Sequence, residues 1–252
     1  MELKSSNPVF GRTFEGSAIR TGYGKTMTVS GTVNKAGILM LLVALSASWV
    51  WGKYFDQIEL TSSAVSGYMM LGAIGGLIAA LVTVFKKEWS AITAPVYAVL
   101  EGLFLGGFSA VMEARFPGIA IEAVALTFGT CLCMLLAYRS GLIRASEKLT
   151  MGIVAATGGI ALIYFVNMIV GFFGVNIPGI FGSGPIGIVF SLVVVVVAAF
   201  NLILDFAVIE DGARHGAPKY MEWFAAFGLM VTLVWLYLEM VRLIAKLRDD
   251  RR

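Results

Sequence analysis

Seven apolar runs occupy most of this 252-residue chain: Ala36–Trp51, Ala64–Phe85, Ala91–Met112, Ile119–Tyr138, Leu149–Phe173, Pro185–Ile209 and Met221–Leu243. Each lies near the ~20 residues that a helix needs to cross the hydrocarbon of a bilayer. Inside hydrocarbon every backbone N–H and C=O must be satisfied within the protein, so runs of this length fold as helices. The fold class expected is therefore all-α, a polytopic membrane protein with seven transmembrane helices. Composition agrees: 58% of residues are hydrophobic and 14% charged, against roughly 45–50% and about 25% in soluble domains. Pro95, early in the third run, and Pro185, at the start of the sixth, mark helix beginnings, where a missing N–H costs least.

Residues 1–34 are rich in Gly, Ser, Thr and basic residues without a helical or strand period, and they read as a mobile cytoplasmic tail. Residues 35–246 read as one membrane domain and 247–252 as a short charged tail. The first apolar run begins too far along the chain for a cleaved signal peptide, so it is expected to stay as an anchor. Lys and Arg alternate in abundance between successive connections. Lys4, Arg12, Arg20, Lys25, Lys35, Lys86, Lys87, Arg139, Arg144, Lys148, Arg214 and Lys219 fall on one side, against Lys53 and Arg115 on the other. Short cytoplasmic loops hold the excess of positive charge, which puts the amino terminus in the cytoplasm. The carboxyl end breaks the rule. Seven crossings put it outside, yet it carries Arg242, Lys246, Arg248, Arg251 and Arg252, so the last segment either crosses despite this charge or re-enters.

Several chemistries are disfavoured. A net charge of +3 without a basic stripe gives no nucleic-acid surface. Cys131 and Cys133, two apart on a helix, point apart and do not pair. Gly182-Ser183-Gly184-Pro185 lacks the Lys-Ser/Thr ending of a phosphate loop. The single histidine, His215, lies in a loop and leaves no Ser-His pair or metal cluster within the membrane. An aspartyl intramembrane protease needs two helical aspartates, and only Asp205 qualifies. The chain is thus read as a non-enzyme without a cofactor. Gly72/Gly76, Gly102/Gly106 and Gly158/Gly159 read as places where helix backbones approach closely.

The acids carry the functional argument, because a carboxyl group inside a membrane helix is expensive. Glu101 sits mid-way along the third run, Asp205 in the last turns of the sixth and Glu239 near the end of the seventh. Glu122, Glu210, Asp211 and Glu222 lie near run ends and read as interfacial charges. The deeper three read either as hydrogen-bonded carboxyls joining helices or as titrating sites. Two neighbouring carboxyls cannot both ionise cheaply, and such a pair offers oxygen ligands to a hard cation such as Ca²⁺.

The run Ala94-Pro95-Val96-Tyr97-Ala98-Val99-Leu100-Glu101-Gly102-Leu103-Phe104-Leu105-Gly106 resembles the Glu-Gly helix of the Bax inhibitor-1 (transmembrane Bax inhibitor motif) family. Leu236-Tyr237-Leu238-Glu239-Met240-Val241-Arg242-Leu243 resembles its last helix, and Leu204-Asp205-Phe206 stands where the family has Tyr-Asp. Ser5-Ser6-Asn7-Pro8-Val9-Phe10 and the basic tail are similar to a bacterial branch.

The resemblance implies six helices around a central seventh, in a bacterial inner membrane, and a pH-sensitive Ca²⁺ leak gated by an acid pair between the sixth and seventh helices. Carried over, the pair is Asp205 and Glu239, with Ca²⁺ or H⁺ as the permeant or regulatory ion and Glu101 a pore-side acid. This chain has Glu where the family has Asp. Its 34-residue separation is also long, so a last helix starting at Met221 would carry Glu239 about 27 Å along its axis, beyond reach of an Asp205 at the end of the sixth. Glu222, with Glu210 a further acid nearby, is the fallback partner. A different class of function is a non-conducting regulator that binds a membrane protease or other membrane protein through its tail. A third, a proton-coupled transporter using Glu101, lacks any named substrate.

Overall fold

The computed structural model describes residues 26–55, 62–173 and 179–250. Among these it contains seven long helices: α1 (Val29–Phe55), α2 (Ser62–Phe85), α3 (Ser90–Arg115), α4 (Ile119–Arg139), α5 (Glu147–Phe172), α6 (Pro185–Arg214) and α7 (Met221–Asp249). All seven are long and apolar enough to span a membrane. Large apolar side chains stand exposed along them, including Leu45, Leu77, Leu132 and Leu162. Water penalises such surface and lipid does not. The chain is an integral membrane protein of seven transmembrane helices.

Three helices run five residues or more past an end of their apolar runs. α1 starts at Val29, seven residues before Ala36, because the Thr28 hydroxyl accepts the Gly31 N–H at 3.0 Å and so caps a polar first turn. The stretch read as tail thus loses residues 29–34 to helix, and residues 1–25 fall outside the described residues. α6 runs on to Arg214 and α7 to Asp249, past the predicted ends Ile209 and Leu243. Charged side chains stopped the apolar pattern there without stopping the helix. Pro185 opens α6, as expected, whereas Pro95 lies beyond the first turn of α3, which follows a 3-10 turn at Lys87–Trp89.

The chain divides into two compact units. The first contains the described residues up to Pro117 together with Ala207–Val231. In it α3 packs closely on α1 and α2 through glycine. A Cβ at Gly72 would come within 2.5 Å of the Leu100 carbonyl, and one at Gly102 within 2.5 Å of the Val43 carbonyl. One at Gly106 would strike the Ala47 carbonyl. The small-residue reading holds at these positions. It fails at Gly158 and Gly159, where an added Cβ meets nothing within 4 Å.

The second unit contains Gly118–Phe206 and the described residues from Thr232 onward, that is α4, α5, most of α6 and the later part of α7. α7 is the most buried helix: 67% of its most apolar window is buried, against 11–44% in the others. That difference agrees with the special place implied for the last helix.

α7 is one uninterrupted 29-residue helix, about 43 Å long, which is a crossing and not a re-entrant hairpin. Its described cations each meet a protein group. Arg242 pairs with Glu239 at 2.6 Å and Arg248 with Glu122 at 2.8 Å. The Lys246 ammonium donates to Ser191 Oγ at 2.8 Å and to the Gly187 carbonyl at 3.0 Å. These partners explain how Arg242, Lys246 and Arg248 coexist with a seventh crossing, while Arg251 and Arg252 lie outside the described residues. Glu122 stands half-exposed in the first turn of α4, as an interfacial charge would, and adds an interhelical ion pair.

Candidate functional site

The acids singled out in the sequence occupy separate stations. Extension of α6 to Arg214 places Asp205 nine residues before the helix end, which carries it towards the middle of the helix. The Thr232 side chain of α7 is its polar neighbour. Oδ2 of Asp205 is buried and, among the described residues, is the one buried side-chain oxygen or nitrogen without a hydrogen-bond partner. Cys131 of α4 lies near enough to feel the charge of Asp205. Both cysteines are free thiols, as their spacing required.

Glu239 is fully buried two turns further along α7. The Tyr164 hydroxyl of α5 lies 3.0 Å from each of its carboxylate oxygens, and Arg242 Nη1 donates to Oε1 at 2.6 Å. The Arg242 guanidinium also sits over the Tyr164 ring, 5.1 Å from its centroid. Phe181 and Phe190 pack on the same ring at 5.7 and 6.2 Å. A buried carboxylate so supplied with donors is a satisfied charge.

The structure does not bring Asp205 and Glu239 together. The seven residues from Thr232 to Glu239 span about 10 Å of helix axis, beyond hydrogen-bond reach of an acid level with Thr232. The separation is smaller than the 27 Å expected for an Asp205 at the end of α6, but the expected acid pair is replaced by an acid and a hydroxyl. Thr232 was missed because a lone threonine in an apolar run carries no charge signal. A trace existed: Thr232, Glu239 and Lys246 recur every seven residues, nearly one face of a helix.

That face forms a polar seam within the second unit. Along it lie Thr232 beside Asp205, the Glu239–Tyr164 cluster, the Lys246–Ser191 bond and a 2.7 Å hydrogen bond from Ser183 Oγ to Asp249. Asn201, one turn before Asp205 on α6, adds a 2.9 Å bond from its amide to Thr157 Oγ1 of α5. The Gly182–Pro185 turn thus serves this seam at Ser183 and holds no phosphate-loop geometry.

Glu101 and Glu222 belong to the first unit. Glu101 is half-buried, hydrogen-bonded to Tyr97 one turn earlier, and its Oε2 lies 3.2 Å from where a Cβ on Gly76 would stand. Glu222, read as interfacial, is instead fully buried. Thr28 donates to its Oε1 from both N and Oγ1 at 2.9 Å, Lys219 from 2.7 Å, and Lys35 pairs with Oε2. Both oxygens are thereby taken. Glu210 is half-exposed and pairs with Arg214 at 2.9 Å, and Asp211 with His215 at 3.2 Å, so these two do read as surface charges.

Among the described residues no three His, Cys, Asp or Glu side chains gather to hold a metal ion. A model of Bax inhibitor 1 like proteins matches residues 7–249.

The chain belongs to the Bax inhibitor 1 like family.

The match takes in all seven helices of this Bax inhibitor 1 like protein, so the resemblance read from three short motifs extends to nearly the whole chain. No curated protein and no solved structure gives a significant match.

Proposed function

We propose that the protein is a pH-regulated cation pathway, a Ca²⁺ leak, and that Asp205 is its controlling acid. The observation that carries the proposal is the buried, unpartnered Oδ2 of Asp205. A buried acceptor without a donor is costly, and a proton or an incoming cation relieves the cost. Its neighbour Thr232 is neutral, so control rests on one titrating carboxyl and not on a shared proton. The polar seam continues from this acid toward the end of α7 through the Tyr164 hydroxyl, the Glu239 carboxylate and Ser191 Oγ, with Arg242 and Lys246 beside them as its cations. Ionisation of Asp205 favours the open arrangement, a shift between two populations. The amino terminus faces the cytoplasm in this reading, in a bacterial inner membrane, and no catalytic group is required.

Purified protein in vesicles loaded with a Ca²⁺ dye tests this. Flux through the parent rises with pH, and an Asp205→Asn variant conducts at a level independent of pH. A variant that kept the parent's pH dependence would remove Asp205 from control.

A second reading has one observation in its favour. The junction between tail and membrane domain is anchored, with Thr26 bridged to Pro218 and Thr28 bonded to Glu222, so the tail leaves from a defined point. A non-conducting regulator that offers its tail to a membrane protease or another membrane protein fits that arrangement. A folded parent that passes no Ca²⁺ at any pH selects this reading.

A further inference from the structure

In the first unit the three residues ahead of α1 lie as a short strap on the turn between α6 and α7. Thr26 forms an antiparallel bridge with Pro218, and the Met27 N–H donates to the Ala217 carbonyl at 2.7 Å. The Met27 side chain is buried in an apolar cluster with Ile209, Ala217, Met221, Phe224 and Ala225. Each of these contacts is weak by itself: one isolated bridge, of which the Met27–Ala217 bond is part, and one methionine.

Electrostatics concentrates on a single group. The Glu222 carboxylate takes two donors from Thr28, one from Lys35 and one from Lys219, with no surface of its own exposed. It stands at the first turn of α7 and at the first turn of α1, where unpaired N–H groups favour negative charge. Gly31 leaves the room for it, since a Cβ there would overlap the carboxylate. Thr28 joins the strap to this charge directly: its N–H and hydroxyl bind Glu222 while its oxygen caps α1 through Gly31 N. The lysines are less enclosed, with side chains 17% and 44% exposed at Lys35 and Lys219, so both reach water without moving α1 or α7.

We infer that Thr26–Thr28 is a latched strap whose catch is the Glu222 carboxylate, and that losing this catch frees the strap while the helices of the unit stay folded. Hydrogen bonds to a charged group are stronger than neutral ones, so the two that Thr28 gives Glu222, a charge held in place by Lys35 and Lys219, outweigh the strap's remaining ties. When the catch is lost, Lys35 and Lys219 turn to solvent and the Met27 cluster opens. Anything that binds the released form has to overcome the latch, which lowers its apparent affinity by the fraction of protein released. The inference is independent of ion conduction.

The test uses the full chain in detergent, with Cys131 and Cys133 replaced by serine. A single cysteine at Met27 is labelled with a maleimide, and a second protein carries its cysteine at Ala98 in α3, which is fully buried. Glu222→Gln is expected to speed labelling at position 27 about tenfold or more and to leave position 98 unchanged. In a third protein, cysteines at Thr26 and Pro218 should cross-link readily with Glu222 present and poorly with Gln, because bridged residues lie within disulfide range. Should Glu222→Gln fail to fold, Lys35→Gln and Thr28→Val each remove part of the catch and are expected to speed labelling to a smaller degree. Equal rates at position 27 in parent and variants would overturn the latch. A parallel rise at position 98 would overturn it too, since Glu222 would then support the whole unit.

Discussion

Thr232 is the polar neighbour of Asp205, and Glu239 stands seven residues beyond that threonine on the same face of α7. The two acids of the last two helices therefore act apart. Glu239 has Tyr164 and Arg242, while Asp205 has one hydroxyl and one empty acceptor. Energetic coupling should follow this pairing and not the order of charges along the chain.

A double-mutant cycle measures it. Asp205→Asn and Thr232→Val are expected to couple by about 0.6 to 1.7 kcal/mol, the range found for hydrogen bonds between membrane helices. Asp205→Asn and Glu239→Gln should be additive within roughly 0.5 kcal/mol. Unfolding in mixed micelles reads both, and strong coupling of 205 to 239 would restore the acid pair.

Replacing Arg242 should be worse than replacing its partner. Arg242→Ala leaves a fully buried carboxylate with only the Tyr164 hydroxyl. Glu239→Gln keeps an acceptor for that hydroxyl and leaves a half-exposed guanidinium that can reach water. We expect Arg242→Ala to cost on the order of 2 kcal/mol, less than a fully enclosed pair because the arginine is 45% exposed. Glu239→Gln should cost less in the same unfolding measurement.

Glycines that look alike in sequence should respond in opposite directions. Gly102→Ala forces a methyl against the Val43 carbonyl, and overpacking of this kind typically costs about 1–3 kcal/mol. Gly158→Ala meets nothing and gains helix propensity of up to about 1 kcal/mol. Thermal melting of the two variants side by side should bracket the parent.

The path of α7 predicts a labelling pattern. With the native cysteines replaced, a cysteine at His215 and one at Asp250 should react with an impermeant maleimide from opposite sides of the membrane. Labelling of both from one side would mean that the 29-residue helix does not cross.

The apolar runs of this chain determined the class of fold and six of the seven crossings. Burial in lipid leaves few backbone solutions, and positive charge in short loops orders them. Glycine spacing located the close contacts of α3, and short motifs around Glu101, Asp205 and Glu239 indicated the family. Other features depended on tertiary structure because they are relations between distant residues. Gly158 and Gly102 are indistinguishable until a neighbouring backbone is in place. Glu222 passed for an interfacial acid because Thr28 and Lys35, which bury it, lie nearly 200 residues earlier. Length past the apolar pattern moved Asp205 inward along α6, and a helix repeat set Thr232 opposite it. The carboxyl-terminal cations violated the charge rule until Glu122, Glu239 and Ser191 supplied partners, because that rule counts charges and only packing decides which of them are already matched.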